Sequence, residues 1–302
     1  MTSFSHSQNA LINTMNAQPK LAKGAKGIVE VSATAWIDLL GYGSMLRDVQ
    51  FDPTSLAAKA AVHRLDCFHA HIAGAATKYS TALVINDGAV ICRDLSARSA
   101  SVTYDFIRRI VQLHTAINAA EREEGFPGAR CVIASGFRIR RRNHHKSSLI
   151  DGYGTHLINQ LEGGAISAEE GIKSAITVKP FMATVPEIQA NFAFTKAYLA
   201  ESSGSIAGFS GARVFLDMAL VSRSDLPWLM FDEIFDWSAP GMSGKFGAIK
   251  VLDTTAARRT FHSGCRDAYE VAEALSTSPE ILDRLRKLRV SGNGAEKSEP
   301  VG

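Results

Sequence analysis

Residues 35–44 constrain this chain more than any other stretch. The run Ala35-Trp36-Ile37-Asp38-Leu39-Leu40-Gly41-Tyr42-Gly43-Ser44 leads an apolar segment into a single carboxylate and then into a glycine-flanked turn. A carboxylate at a buried strand end, beside a loop of backbone N–H groups, suits a cation and a phosphate together. Gly41 and Gly43 permit close backbone approach. A short helical turn from Ser44 to about Arg47 would add its positive end.

The neighbouring segments say what could complete such a site. Ile28–Ile37 is rich in β-branched residues and free of breakers, so it reads as a strand with Asp38 at its end. Asp52-Pro53-Thr54-Ser55 is a helix start, and the helix runs from Leu56 to about Ala76. His69 and His71, two apart, diverge on a helix and are not read as metal ligands. Tyr79–Ile85 and Ala89–Cys92 flank Asn86-Asp87-Gly88, a hairpin signal. Asp87 is there either as a turn former or as a second carboxylate. Val102, Phe106, Ile110, Leu113 and Ile117 give a helix over Ser99 to about Ala120, and Ala129–Ile139 reads as a buried strand.

Strand, helix, hairpin, helix, strand is the β-α-β-β-α-β order of ferredoxin-like folds. The expected class is α+β, with an antiparallel sheet and flanking helices. In that arrangement the end of the first strand meets the hairpin turn, which brings Asp38 and Asp87 together. Two close carboxylates repel one another unless a divalent cation lies between them. Two cations clamped in this way lower the pKa of a hydroxyl and stabilise a departing phosphate.

The rest of the chain is read more coarsely. Arg138–Lys146 is a basic run, either a solvated loop or a neutraliser of triphosphate charge. Ser167-Ala168-Glu169-Glu170 fits a capping box that starts a helix to about Ile176. Glu187–Ser202 reads as a helix, Arg213–Leu216 and about Gly247–Leu252 as strands, and Arg266–Leu275 and Pro279–Leu288 as helices. Residues 1–27 are expected to be a mobile arm, 28–290 a domain with a C-terminal extension, and 291–302 a disordered tail.

Composition excludes several classes. A formal net charge of +3 over 302 residues argues against nucleic-acid binding driven by bulk charge. Cys67, Cys92, Cys131 and Cys265 form no CxxC pair and read as reduced thiols. No stretch reaches the roughly 18 continuous apolar residues of a membrane span, so a soluble, cytoplasmic protein is expected. There is no GxxxxGK loop followed by Ser or Thr, and Asp38 lacks a second aspartate two residues on. These absences disfavour a phosphate-loop nucleotide hydrolase and an aspartyl-phosphate enzyme. A nucleotidyltransferase with a two-aspartate palm remains a minor option.

The stretch Trp36-Ile37-Asp38-Leu39-Leu40-Gly41-Tyr42 resembles the first metal motif of class III nucleotide cyclases. Asn86-Asp87-Gly88 resembles their second metal aspartate, and the helix ending Ala197-Tyr198-Leu199-Ala200-Glu201 is similar to their later helix. Within that superfamily the chain looks most like the bacterial pyrimidine cyclases of Pycsar anti-phage systems. The resemblance implies that 28–290 is a catalytic domain, and that it cyclises a nucleoside triphosphate, UTP or CTP, to a 3′,5′-cyclic monophosphate and diphosphate. It implies two Mn²⁺ or Mg²⁺ ions on Asp38 and Asp87, with the Leu39 carbonyl as an extra ligand. It implies a phosphate loop at Gly41, Tyr42 and Gly43, and a homodimer with its active site at the interface. The cyclic product would act on a separate effector during infection. The purine-type Asn and Arg of the later helix are absent: with Glu201 aligned to the family's acidic residue, Thr195 and Leu199 stand in their places. The transition-state cation would then be Lys196, Arg213 or part of the basic run. Tyr42 either reads the base or packs under the loop. The alternative is a catalytically silent, nucleotide-binding relative.

Overall fold

The computed structural model describes residues 28–50, 52–140, 157–177, 187–253, 264–276 and 278–293. Its centre is β1 (Ile28–Leu39), a strand of strict alternation. Val31, Ala33, Ala35, Ile37 and Leu39 enter one core, while Trp36 enters a second on the opposite face. The period of two therefore assigns Asp38 to the Trp36 face.

After a turn come α1 (Tyr42–Asp48) and α2 (Leu56–Ala75). The Ser55 hydroxyl caps α2 by accepting from the Ala58 N–H at 3.0 Å. β2 (Thr81–Ile85) and β3 (Gly88–Asp94) form the expected hairpin. Asn86 adopts φ 55°, the left-handed conformation that a tight hairpin turn demands and Asn tolerates. α3 (Ser101–Glu123) and β4 (Ala129–Arg140) complete the β-α-β-β-α-β unit.

The sheet has seven strands in the order β2-β3-β1-β4-β5-β7-β6. Its first four positions are the ferredoxin-like order expected from the sequence. β5 (Val214–Asp217), β6 (Leu229–Ala239) and β7 (Met242–Leu252) extend it. The sheet is mixed rather than wholly antiparallel, because β5 runs parallel to β4. The sequence reading also missed β6. Its exposure alternates poorly and it carries Asp232, Glu233 and Asp236, yet the Pro240-Gly241 turn into β7 marked the hairpin. Those charges suit an edge strand, where unpaired backbone invites foreign strands.

α2 and α3 pack on one face with α7 (Ala268–Leu275), around Phe68, Phe106, Ile107 and Trp228. Each such side chain, fully buried, contributes about 1.5–3 kcal/mol. The other face carries α6 (Phe192–Ser202), whose Ala197 and Ala200 lie on Val132, Ala134 and Phe215. α6 starts five residues later than expected. Ala190 at φ 48° breaks the helical path, and the Asn191 side chain caps α6 by accepting from the Phe194 N–H at 3.1 Å. α8 (Pro279–Asn293) runs slightly past the expected start of the tail.

A separate compact unit contains α4 (157–162) and α5 (Ala168–Thr177). The capping box is present: Ser167 Oγ accepts from the Glu170 N–H at 3.2 Å, and Glu170 accepts from the Ser167 N–H at 2.9 Å. The expected arm, most of the basic run and the end of the expected tail lie outside the described residues.

Candidate active site

Backbone pairing creates the site. β1 and β3 run antiparallel with Asp38 opposite Gly88, and the Leu39 N–H donates to the Asp87 carbonyl at 3.0 Å. Asp38 at the end of one strand and Asp87 in the turn before the next are thus adjacent across the ladder. Both are half-buried. The Asn86 amide donates to Asp87 Oδ1 at 2.9 Å, and His69 Nε2 lies 2.9 Å from the Asn86 carbonyl oxygen. His69 therefore braces the turn.

Gly88 is dictated by Trp36. A Cβ at Gly88 would lie 2.5 Å from the indole ring, so only glycine leaves room for the Trp36 ring there. Trp36 in turn meets Tyr198 edge-on at 5.3 Å between ring centroids and Phe194 at 6.1 Å.

The loop after Asp38 is fixed from below. The Leu40 N–H donates to the Gly128 carbonyl at 2.9 Å, and Arg64 Nη2 donates to the Leu40 carbonyl at 3.0 Å. Arg64 is itself buried and paired with Glu121, Nε to Oε1 3.0 Å. Gly41 caps α1 at φ 77°, a conformation that favours glycine. Gly43 faces open space. The N–H groups of Ser44 and Met45 both turn back to the Gly41 carbonyl. Tyr42 is only 3 % exposed and belongs to the core, so its ring packs under the loop and presents no free face to a base. Leu39 is buried as well, which leaves its backbone carbonyl as the group able to serve a ligand.

Two further charged residues border the aspartates. Arg130 on β4 donates from Nη1 to Glu201 Oε1 on α6 at 3.0 Å. Burial, then Glu201 and Asp87, push the Asp38 carboxyl up to about 7, while Arg130 opposes the rise. Glu201 is also shifted upward, first by burial and against the pull of Arg130, with Asp87 adding to the rise. The Trp36 indole N–H is close enough to favour ionised Glu201, although it makes no hydrogen bond of good geometry. Trp36 Nε1 and Arg130 Nε are the buried side-chain polar atoms without a partner among the described residues. Orphan buried donors of this kind are rare.

The cations expected from the sequence are engaged elsewhere. Lys196 is buried and bonds Asp217 at 2.6 Å, with Ser135 Oγ donating to the same oxygen at 2.7 Å. Arg213 pairs with Glu233 at 2.7 Å and lies over Phe215. Arg138 holds Asp94 and Glu30, and Arg140 holds Glu30 at 2.9 Å. Arg130 is the cation near Asp38. In the sequence Arg130 reads as a strand residue and Glu201 as the acidic residue of the later helix, and neither pattern places the two together. The alternation Arg130, Val132, Ala134 on β4 was the available signal for Arg130.

Among the described residues, no group of three or more His, Cys, Asp or Glu side chains is arranged to hold a metal ion as they stand. The pair Asp38 and Asp87 nevertheless suits a hard divalent cation. Its donors are all oxygen, and both the burial that chiefly raises Asp38 and the nearby carboxylates that add to the rise disfavour its bare negative charge, which a cation would compensate. No described helix is long and apolar enough to cross a membrane.

No protein-family model matches the chain, and no curated protein matches it. Among solved structures it is similar in outline to the guanylyl cyclase Cya2, at 11% identity over 80% of this chain and 100% of that one, with a TM-score of 0.46. It is also similar to a dimeric guanylyl cyclase domain of the RhoGC fusion protein from the aquatic fungus Blastocladiella emersonii. There the identity is 10%, over 75% of this chain and 99% of that one, with a TM-score of 0.38. Likeness at this level carries no functional argument.

Proposed function

We propose that the chain is a divalent-cation-dependent nucleotide cyclase. The observation that carries this reading is the adjacency of Asp38 and Asp87 at the end of the β1–β3 ladder, where Asp38 stands opposite Gly88 and the Leu39 N–H donates to the Asp87 carbonyl, next to the Gly41–Gly43 loop. In the proposed reaction the ribose 3′-oxygen bonds to the α-phosphorus. The bond from that phosphorus to the bridging oxygen breaks, diphosphate leaves, and the hydroxyl proton is lost to solvent. A bound Mn²⁺ or Mg²⁺ supplies the Lewis acidity for this displacement. Asp38 and Asp87 hold the charge in place, with the Leu39 carbonyl as a further oxygen donor. Gly43, open to its surroundings, lets the loop backbone approach a phosphate.

The finer reading is a pyrimidine substrate, UTP before CTP, with the cyclic product signalling to a separate effector in anti-phage defence. It is supported by the sequence resemblance and by Thr195 and Leu199 at the purine-type positions. A homodimer with its site at the interface belongs to the same reading. A second reading, a silent nucleotide-binding relative, draws on one observation: Lys196 and Arg213 are already committed to carboxylates.

Purified protein with Mn²⁺ and each of the four ribonucleoside triphosphates separates these readings. Cyclic UMP or cyclic CMP is the expected product, and Asp87→Ala is expected to abolish it. Bound but intact nucleotide in every reaction would leave only the silent reading. An Asp87→Ala variant of full activity would reduce Asp87 to a turn residue.

A further inference from the structure

Three carboxylates share one electrostatic neighbourhood at the lip of the sheet. β4 neighbours β1 in the sheet, and the Leu40 N–H donates to the Gly128 carbonyl at 2.9 Å, which puts the start of β4, carrying Arg130, beside the end of β1, carrying Asp38. The Leu39 N–H holds Asp87 at that same end at 3.0 Å. A single guanidinium, Arg130, acts against this charge. It is tied to Glu201 at 3.0 Å, and the two side chains are each about 11% exposed. Their charges are therefore only weakly screened by solvent. Both orphan donors of the described residues belong to this cluster: Arg130 Nε itself, and Trp36 Nε1 beside Glu201. An ion pair retained for stability alone would be expected to have its donors satisfied.

We propose that the Arg130–Glu201 pair sets the charge of the cation site, Arg130 weakening and Glu201 strengthening the hold of Asp38 and Asp87 on a divalent ion. This rests on the cation-site reading above. The two residues are positioning residues, because each acts on the ion through the field at Asp38. With all three carboxylates ionised, as a bound cation would require of Asp38, Arg130 brings their charge from −3 to −2. The field of one charge on a doubly charged ion, acting over several ångströms of partly wet protein, is worth about five- to tenfold in affinity.

The test is Mn²⁺ titration of the full chain without nucleotide, at fixed pH and low salt, read from the free-ion electron paramagnetic resonance signal. Arg130→Met is expected to bind Mn²⁺ about five- to tenfold more tightly. Glu201→Gln is expected to bind about five- to tenfold more weakly. Arg130→Lys and the double variant Arg130→Met/Glu201→Gln should both return close to wild type. A purely structural pair would weaken binding in both single variants, and that outcome overturns the proposal, as does affinity unchanged in both. If Arg130→Met fails to fold because Glu201 is left unpaired, Glu201→Gln and the double variant still carry the sign. Wild type without saturable Mn²⁺ binding would sink the cation site and this inference together. Binding that is lost in Asp87→Ala but unchanged in the charge variants would sink the inference alone.

Discussion

Asp38 holds its proton far above the ordinary carboxylate range, to about 7, because it is half-buried among other carboxylates. The sign of the consequence follows from linkage. A folded-state pKa above the unfolded one means that the native state binds the proton more tightly, so Asp38 favours folding below about pH 4 and loses that contribution as pH rises through about 7. Without added cation, stability is expected to fall between about pH 4 and 7. Asp38→Asn should flatten part of that slope and gain about 1–3 kcal/mol at pH 8, discounted for partial exposure, while abolishing the proposed cyclase activity. Urea unfolding across this pH range checks it. Two glycines give a second contrast. Gly88→Ala drives a methyl into Trp36 and should cost about 1–3 kcal/mol. Gly43→Ala meets nothing and should leave the melting temperature within error. If the loop backbone approaches a phosphate, Gly43→Ala should still raise KM for the triphosphate, and an unchanged KM would remove Gly43 from the proposed site.

At the scale of elements, α6 is the part whose placement matters most, because it delivers Glu201. It is pinned at both ends by polar side chains. Asn191 caps its start and donates to the Glu187 carbonyl at 2.9 Å from a buried position beside Ser32 and Thr34. Near its other end Glu201 meets Arg130 on β4. Between them Gly136 of β4 lets the helix backbone close in, since a Cβ there would lie 2.5 Å from the Ala193 nitrogen. Asn191→Ala removes the cap and leaves buried groups unpaired. It should cost about 1–2 kcal/mol, measured as a lower urea midpoint at unchanged slope. Asn191→Ser, which keeps a capping oxygen, should recover part of that loss.

For the molecule as a whole, the proposed cation binding would be coupled to folding. A ligand that binds only the native state raises its stability with the logarithm of concentration over Kd. Mn²⁺ must displace the proton from Asp38, so its stabilising effect should grow with pH. A melting-temperature rise of several degrees is expected at pH 8, a smaller one at pH 6, and none in Asp87→Ala. A rise that is equal at both pH values would mean that Mn²⁺ does not bind through Asp38.

The sequence by itself determined the local and periodic features. Alternation in Ile28–Leu39 decided which face Asp38 takes, Asn86-Asp87-Gly88 decided the hairpin, and helical spacing decided α2 and α3. From these the four-strand order and the meeting of Asp38 with Asp87 followed, because topology leaves few ways to join such elements. Tertiary structure alone decided what surrounds the pair. That Lys196 is taken by Asp217, that Tyr42 turns inward, and that Arg130 and Glu201 meet across 71 residues depend on long-range packing and charge. No local pattern encodes them. β6 went unread for a related reason: an edge strand with one solvated side and a row of charges has too little apolar periodicity to show itself before its partner β7 is in place.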